Sequence, residues 1–202
     1  MKILFATKNP AKIKKYSKKL EPYGIEIISI RDLNIDLDID ESGNNAIENA
    51  TIKAKAYYEA TGMITVGLDD NLYIENLPDE KQPGTHVRRI NGKELDDDEM
   101  IDYYTNMAKE YGGRLDSKWV YGMVLYDEKN TYEHTWSKDG FYFTDTPCEK
   151  RNPGYPLDSI TVWPKYNQYW LELSEEQKQE INNQYNNDGV EEFITSSLNI
   201  SD

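Results

Sequence analysis

Residues 2–16, KILFATKNPAKIKKY, predict a strand, a turn and a helix in immediate succession. Lys2–Ala6 is a short apolar run of the kind that forms a strand. The polar stretch Thr7–Pro10 interrupts this run, as turn residues do. Beyond the turn, Ile13 and Tyr16 begin an apolar series with helical spacing. The N-terminus therefore begins as α/β proteins do, with a strand that leads directly into a helix.

Outward from this segment, strands and helices continue to alternate. Apolar runs predict further strands at Ile25–Ile30, Met63–Leu68, Lys118–Tyr126 and Tyr132–Phe143. Helical spacing predicts helices at Ala46–Thr61, Glu94–Tyr111 and Ser174–Tyr185, and the Pro- and Gly-containing stretch Asn76–Gly92 predicts a loop. No low-complexity linker or internal repeat divides the chain, so we expect one domain over residues 1–202. The fold class is α/β, with a central mixed sheet flanked by helices.

The overall composition restricts the classes of partner. The chain has 202 residues and a formal net charge of −14, from 37 acidic and 23 basic residues. Such a surface repels a phosphate backbone, so we expect no general nucleic-acid binding. A single cysteine, Cys148, excludes an intramolecular disulfide, and with only two His it excludes a Cys/His zinc cluster. No signal peptide and no membrane-spanning apolar stretch is found, so we expect a cytoplasmic protein without membrane association.

Two groups of residues suit phosphate or metal chemistry. The turn Thr7–Lys12 offers backbone N–H groups at a helix N-terminus, with Lys8 and Lys12 adding positive charge. Acids also follow strands or precede helices, namely Glu41, Glu48 and the pair Asp69-Asp70, and Mg²⁺ prefers one or two carboxylates plus substrate phosphates. From the residues alone, a solvated basic helix face and solvated surface acids explain the same pattern.

Further candidates lie later in the chain. Arg88-Arg89 follows Pro83-Gly84 and suits bidentate binding of a phosphate, although a surface salt bridge explains it as well. The acidic run Asp96–Glu99 is typical of a helix N-terminus rather than of a metal site. His86 and His134 have no Ser or Asp at a suitable spacing, so we expect no catalytic triad. Among the four Trp, Trp163 and Trp170 are the better candidates for ligand contact.

Together these segments resemble the inosine triphosphate pyrophosphatase family. The N-terminus is similar to its "AT-x-N-x-x-K" start, and Asp40–Ala54 to its "E-S/T-G … F-x-E-N-A-x-x-K-A". Asp69–Gly92 resembles "D-D-S-G-L … P-G … S-A-R". Near the C-terminus, Gly154-Tyr155 resembles part of "G-F-G-Y-D-P", and Glu172–Lys178 resembles "E-L-S/T-x-E-E-K". The resemblance spans almost the whole chain, and the order of the motifs is more specific than any one of them.

The resemblance implies a fold, a reaction and a set of site residues. It implies two lobes with a substrate cleft between them, a homodimer, and Mg²⁺-dependent hydrolysis of a nucleoside triphosphate to the monophosphate and pyrophosphate. Asp69 would be the metal-linked acid or base, and Lys12 would neutralise the triphosphate. Metal would be held by Glu41, Asp69 and Asp70. Substrate would be bound by Thr7, Lys8, Asn9, Arg89, Tyr155 and Lys178.

The chain also departs from the family pattern. An ungapped alignment places Leu68 where the first acid of the family pair stands and Asp69 on the second, whereas a one-residue gap makes Asp69 and Asp70 the pair. We prefer the ungapped alignment because Pro83-Gly84 and Arg89 stay in register. The family's "S-H-R" becomes Asn182-Asn183-Gln184, so Asn183 and Gln184 replace the base-contacting His and Arg. The family pattern therefore does not predict which nucleotide base this chain prefers. A buried polar group that is left unpaired by the wrong base is costly, so these two positions decide base selection.

Two other classes of function remain open. The chain resembles an enzyme, but Leu68 at an acidic position favours a nucleotide-binding sensor that has lost catalysis. Alternatively, a net charge of −14 suits a nucleic-acid-mimicking protein that binds a basic partner. Such a mimic would not need Lys8, Lys12 and Arg89 in loops that form a cleft.

Overall fold

The computed structural model describes residues 1–75, 77–185 and 188–200, so Asn76, where the predicted loop starts, lies outside the described residues. The strands are β1 Lys2–Ala6, β2 Glu26–Ser29, β3 Thr65–Ile74, β4 Arg89–Ile90, β5 Lys93–Glu94, β6 Arg114–Tyr126, β7 Thr131–Thr144, β8 Thr161–Trp163 and β9 Gln168–Tyr169. The helices are α1 Pro10–Leu20, α2 Ala46–Thr61, α3 Asp97–Glu110, α4 Glu175–Gln184 and α5 Val190–Ser197. Short 3-10 segments at Glu21–Tyr23, Asp79–Lys81, Pro156–Ser159 and Trp170–Glu172 complete the elements.

Seven strands form one mixed sheet, which confirms the predicted fold class. Their order is β2-β1-β3-β6-β7-β8-β9, and β4 and β5 form a separate two-stranded sheet. β1 pairs in parallel with β2 and with β3. β8 pairs antiparallel with both β7 and β9. Because Ala6 at the end of β1 pairs with Gly67 of the parallel strand β3, the turn after β1 lies beside the stretch of β3 that follows Gly67.

Several predicted boundaries shift because of specific caps. The helix predicted from Glu94 begins at Asp97, since the Asp96 side chain caps it in a capping box with Glu99. The acidic run is thus a helix N-terminus, as expected. Ser174 forms the predicted capping box with Gln177. The predicted loop contains β4, so the loop assignment is wrong at Arg89.

The described residues form two compact units, each with its own core. Unit 1 comprises Met1–Asp70, Val120–Trp136 and the residues from Asp188 on. Its main core includes Ile3, Phe5, Leu20, Val66, Met123, Leu125, Val190 and Ile194. Unit 2 comprises Asn71–Trp119 and the residues from Ser137 up to the gap before Asp188. Its core includes Leu72, Ile74, Tyr104, Leu115, Phe143, Ile160 and Ile181.

Within unit 1, α2 lies unusually close to the sheet. A Cβ at Gly67 on β3 would stand 2.0 Å from the Ala50 carbonyl oxygen, and one at Gly122 on β6 would stand 2.7 Å from the Ala46 carbonyl carbon. Both contacts involve helix backbone rather than a flexible side chain. Glycine at these two positions, opposite small alanines, lets the helix backbone rest directly on the strands. The position of α2, and of every side chain it carries, is therefore tightly set.

No helix among the described residues is both long enough and apolar enough to cross a membrane.

Candidate active site

The turn after β1 is ordered by its own side chains. The Asn9 N–H donates to Thr7 Oγ1 at 3.2 Å, and the Asn9 side-chain oxygen accepts from the Lys12 N–H at 3.3 Å. Pro10 is the first residue of α1, where its missing N–H costs no hydrogen bond. The segment predicted as a phosphate-binding turn is therefore a capped helix N-terminus. Such an N-terminus favours an anion.

Two lysines of this segment form ion pairs with acids. Lys8 Nζ lies 2.7 Å from Asp36 Oδ1, and both side chains are exposed. The hydrogen bond with Asp36 raises the pKa of Lys8 above its ordinary value. Lys12 Nζ lies 2.8 Å from Asp70 Oδ1, and about a third of each side chain is exposed. Both predicted phosphate-binding cations thus remain accessible to solvent, with a carboxylate beside each.

A second cluster surrounds Asp69. Lys53 Nζ on α2 donates to Asp69 Oδ1 at 3.0 Å and lies 2.9 Å from Glu41 Oε2. The Asn49 side chain, one helical turn earlier, donates to Asp69 Oδ2 at 2.9 Å. The carboxylates of Glu41 and Asp69 therefore face each other across one ammonium group. Asp69 has both oxygens fixed by donors from a single helix.

Lys53 stays a cation although it is largely buried. Burial by itself would lower the pKa of Lys53, but the charge of Asp69 and the hydrogen bond and charge of Glu41 outweigh it, and its pKa lies above the ordinary value. Its side chain is only 13% exposed, which is rare for lysine unless it is paired. Lys53 therefore links the two acids as a permanent positive charge.

These groups line one cavity in unit 1. Its volume is about 350 Å³, and its lining includes Thr7, Lys8, Lys12, Glu41, Lys53 and Asp69. The cavity thus combines three cations with three carboxylates, Asp38 being the third, next to a helix N-terminus. A charged, phosphate-bearing ligand with a bound cation suits such a lining better than an apolar ligand does.

Asp69 and Asp70 do not act as a facing pair. They are neighbours on the continuous strand β3, and successive side chains of a strand point to opposite faces. Asp69 accordingly contacts Lys53 while Asp70 contacts Lys12. Leu68 is 5% exposed and belongs to the apolar core of unit 1. The adjacent acids therefore serve two different lysines.

The donor set limits how a metal ion would be held. Among the described residues, no group of three His, Cys, Asp or Glu side chains is arranged to hold a metal ion. Mg²⁺, however, is commonly bound by one or two carboxylates together with phosphate oxygens and waters. The carboxylates of Glu41 and Asp69, both next to Lys53, fit that smaller requirement. They would need the substrate's phosphates to complete the coordination shell.

Three predicted substrate-binding residues belong to unit 2. Arg89 is exposed on β4 and lines a cavity of about 500 Å³ together with Lys81, His86, Tyr103 and Tyr111. Its neighbour Arg88 instead forms an ion pair with Asp97, with Arg88 Nη2 at 2.9 Å from Asp97 Oδ1. The two arginines therefore do not act as one clamp, and only Arg89 is left facing a cavity.

The other two substrate-binding candidates of unit 2 lie near its C-terminal helix. Tyr155 is 48% exposed. Lys178 Nζ on α4 is 3.1 Å from Glu175 and 5.9 Å from the ring centroid of Trp170. Trp163 is buried in the core, so its proposed role in ligand contact is wrong. Trp170 is half-buried beside Lys178 and stays a candidate.

Sequence reasoning did not single out Lys53 and Asn49 for this site. Both lie on the predicted helix Ala46–Thr61, and their spacing of four residues places them on one face. That face also has Ala46 and Ala50, small residues that permit close packing. The sequence signal that could have identified them is the presence of a lysine and an asparagine on the face of the helix that packs against the sheet. Buried polar groups at such positions require hydrogen-bonding partners.

Comparison with known proteins adds the following matches. A family model described as the Ham1 family matches residues 3–186. A dITP/XTP pyrophosphatase of Thermoanaerobacter pseudethanolicus is 40% identical over 93 residues, which are 46% of each chain. A dITP/XTP pyrophosphatase of Desulforamulus reducens is 27% identical over 183 residues, covering 90% of this chain and 89% of that one.

A solved structure supports the fold over most of the chain. The nucleoside-triphosphatase / dITP/XTP pyrophosphatase of Mycobacterium abscessus has a TM-score of 0.69 at 25% identity, covering 91% of this chain and 95% of that chain. The 40% identity to the Thermoanaerobacter relative is more local, since the chain spans about half the length of that relative. Fold similarity therefore extends further along the chain than high sequence identity does.

Proposed function

This chain belongs to the Ham1 family, and on that premise we propose that it hydrolyses a nucleoside triphosphate to the monophosphate and pyrophosphate. The observation that carries the proposal is the unit 1 cavity, where Lys8, Lys12 and Lys53 meet the carboxylates of Glu41 and Asp69. A relative that covers 90% of this chain is named a dITP/XTP pyrophosphatase. Cations for a triphosphate and carboxylates for a metal and a water are what this reaction requires.

Each residue of the cavity has a role in this proposal. The turn from Thr7 to Asn9 presents the N-terminus of α1 to the phosphates, and Lys12 neutralises their charge. Asp69 orients the attacking water and accepts its proton, as a fixed carboxylate can do. Lys53 holds Asp69 and Glu41 in place and adds a positive charge close to the reacting phosphate. Among the described residues of the cavity, no other carboxylate accepts hydrogen bonds from two side chains, as Asp69 does from Asn49 and Lys53.

The proposal includes a Mg²⁺ ion. Glu41 and Asp69 would hold it together with substrate phosphates, and Asp70 would contribute on release from Lys12. When bound, the ion would neutralise charge on the phosphates. We assign further substrate contacts to Arg89, Tyr155 and Lys178, and the proposal retains a single functional domain, a homodimer and a cytoplasmic location.

Release of pyrophosphate from a panel of ribo- and deoxynucleoside triphosphates, with Mg²⁺ and with chelator, tests the proposal. Metal-dependent release from one or more members supports it, and the preferred base shows the effect of Asn183 and Gln184. A folded protein that binds nucleotides without releasing pyrophosphate is a sensor instead. Absence of both binding and release favours the acidic interaction protein.

A further inference from the structure

Asn49 makes two hydrogen bonds that join separate parts of the candidate site. Its side chain is buried in unit 1, with the residue 1% exposed. The side-chain oxygen accepts from the Gly43 N–H at 2.7 Å, and the side-chain NH₂ donates to Asp69 Oδ2 at 2.9 Å. A backbone N–H can only donate and an ionised carboxylate can only accept, so the two contacts fix which way the amide points.

The Gly43 contact fixes the loop that carries Glu41. Gly43 is buried two residues after Glu41, and a Cβ there would stand 2.6 Å from Asn49 Oδ1 and 2.8 Å from the Asn49 backbone nitrogen. The loop therefore runs against the first turn of α2 with no room for a side chain. The Asn49 amide thus holds the chain between Glu41 and α2 at Gly43, while the Asn44 N–H is held separately by Glu48.

We propose that Asn49 is a positioning residue, which holds the Asp69 carboxylate and the Glu41 loop in a single arrangement for the proposed hydrolysis. This inference rests on the proposed function. Lys53 links the same two acids through their charges, but a lysine side chain is long and flexible. The Asn49 amide is short, buried and directional, so it sets the orientation that Lys53 alone leaves free. Loss of orientation at a reacting group costs rate rather than affinity.

Asn49→Asp tests the two contacts separately. An aspartate has nearly the same shape and still accepts from the Gly43 N–H, but it offers no donor to Asp69 and places a like charge against it. We expect kcat to fall by about tenfold or more while KM for the triphosphate stays within about threefold. Wild-type kcat and KM in Asn49→Asp would overturn the proposal.

Asn45→Ala is the matched control. Asn45 caps the same helix by accepting from the Glu48 N–H, but it contacts neither Asp69 nor Gly43. We expect it to lower Tm by about 3 °C, as loss of an N-cap does in a chain of this size, with kcat unchanged. A fall in kcat of equal size in both variants would show that Asn49 acts only by stabilising α2, which also overturns the proposal.

A second readout does not depend on turnover. In nucleotide-free protein, we expect the side-chain NH₂ signals of Asn49 in a nitrogen–proton NMR spectrum to shift in Asp69→Ala and to stay in place in Asn45→Ala. Unshifted Asn49 signals in Asp69→Ala would overturn the link between the two residues. If the wild type hydrolyses no triphosphate, the proposed function fails, while these signals still decide whether Asn49 holds Asp69.

Discussion

Asp69 is the most constrained acid of the unit 1 cavity, with one oxygen bonded to Lys53 and the other to Asn49. Asp69→Asn keeps the size of the side chain but removes the charge and the capacity to take a proton. We expect turnover of the preferred triphosphate to be abolished while the circular dichroism spectrum stays that of the wild type. A fully active Asp69→Asn protein would contradict the assignment of this acid.

Lys12 and Lys14 allow a charge-matched comparison on one helix. Lys12 lines the cavity and pairs with Asp70, whereas Lys14 is exposed two residues later. Loss of one charged hydrogen-bond donor to a phosphate weakens binding by about tenfold or more. We expect KM for the triphosphate to rise by this factor in Lys12→Ala and to stay near the wild-type value in Lys14→Ala. Equal changes in both variants would indicate a general charge effect.

At the residue scale, sequence reasoning identified the acids and cations but not their connections. Glu41, Lys12 and Asp69 were predicted from local patterns, and all three line one cavity. Lys53 and Asn49 stood in the motif quoted for Asp40–Ala54 but were given no role, because that role arises from contacts with residues 12 to 20 positions away, such as Glu41 and Asp69. Hydrogen-bond partners of that kind follow from how α2 packs on β3, which a local pattern does not contain.

At the element scale, the contact between α2 and β3 depends on Gly67. In Gly67→Ala the new methyl group would meet the Ala50 carbonyl, which is backbone and has no alternative rotamer. We expect a loss of about 3 kcal/mol in the free energy of unfolding, at the upper end for overpacking. Urea unfolding followed by circular dichroism measures it.

Gly62→Ala provides the control for this change. Gly62 ends α2 with φ +67° and nothing within 4 Å of its hypothetical Cβ, so an alanine there meets backbone strain without a clash. That strain costs about 1 kcal/mol. If Gly62→Ala destabilised the protein as much as Gly67→Ala, the close approach of α2 to β3 would not be the reason.

The predicted helices differ in how closely their bounds match those of the structure. Ala46–Thr61 matches α2 residue for residue, with Asn45 and Gly62 as its caps. The start of α3 was misplaced by three residues, because Glu94 belongs to β5 and Asp96 is the cap. α5 was not predicted. Its Val190 and Ile194 are fully buried in unit 1, so its existence follows from tertiary packing rather than from length or a strong capping signal.

At the scale of the whole molecule, Asp188 ties the end of the described chain to α1. Its oxygens lie 2.8 Å from Lys19 Nζ and 2.9 Å from Lys15 Nζ, and its side chain is 1% exposed. Burial by itself would raise the pKa of Asp188, but the hydrogen bonds from Lys19 and Lys15 outweigh it and hold the pKa below the ordinary value of 3.8. The native state thus favours the charged form.

This pKa shift makes part of the stability of unit 1 dependent on pH. Because the folded pKa is the lower one, the contribution is fully present above pH 3.8 and is lost as the pH falls through the folded value. We expect Asp188→Asn to destabilise unit 1 by about 2 kcal/mol at pH 7 and by clearly less at pH 3. Hydrogen exchange of the α1 amides measures this, and an equal loss at both pH values would contradict it.

The overall α/β class followed from the alternation that begins at Lys2, and the family followed from the order of the motifs. The resemblance implied two lobes, but the sequence did not show where they divide, because no linker marks the boundary and β3 passes from one unit into the other between Asp70 and Asn71. Strand patterns identify strands but not which core each strand serves. The contacts formed by Val190 and Ile194, rather than the sequence pattern, show that α5 completes the core of unit 1.

That arrangement has a consequence for synthesis on the ribosome. Residues 1–70 are synthesised before the rest of their core, which lacks Met123 and Leu125 until β6 is made, and Val190 and Ile194 until α5 is made. At usual elongation rates the wait is on the order of 10 s, during which β1, β3 and α2 expose apolar surface. Nascent chains stalled before α5 should therefore engage chaperones strongly, and those with α5 outside the exit tunnel should release them.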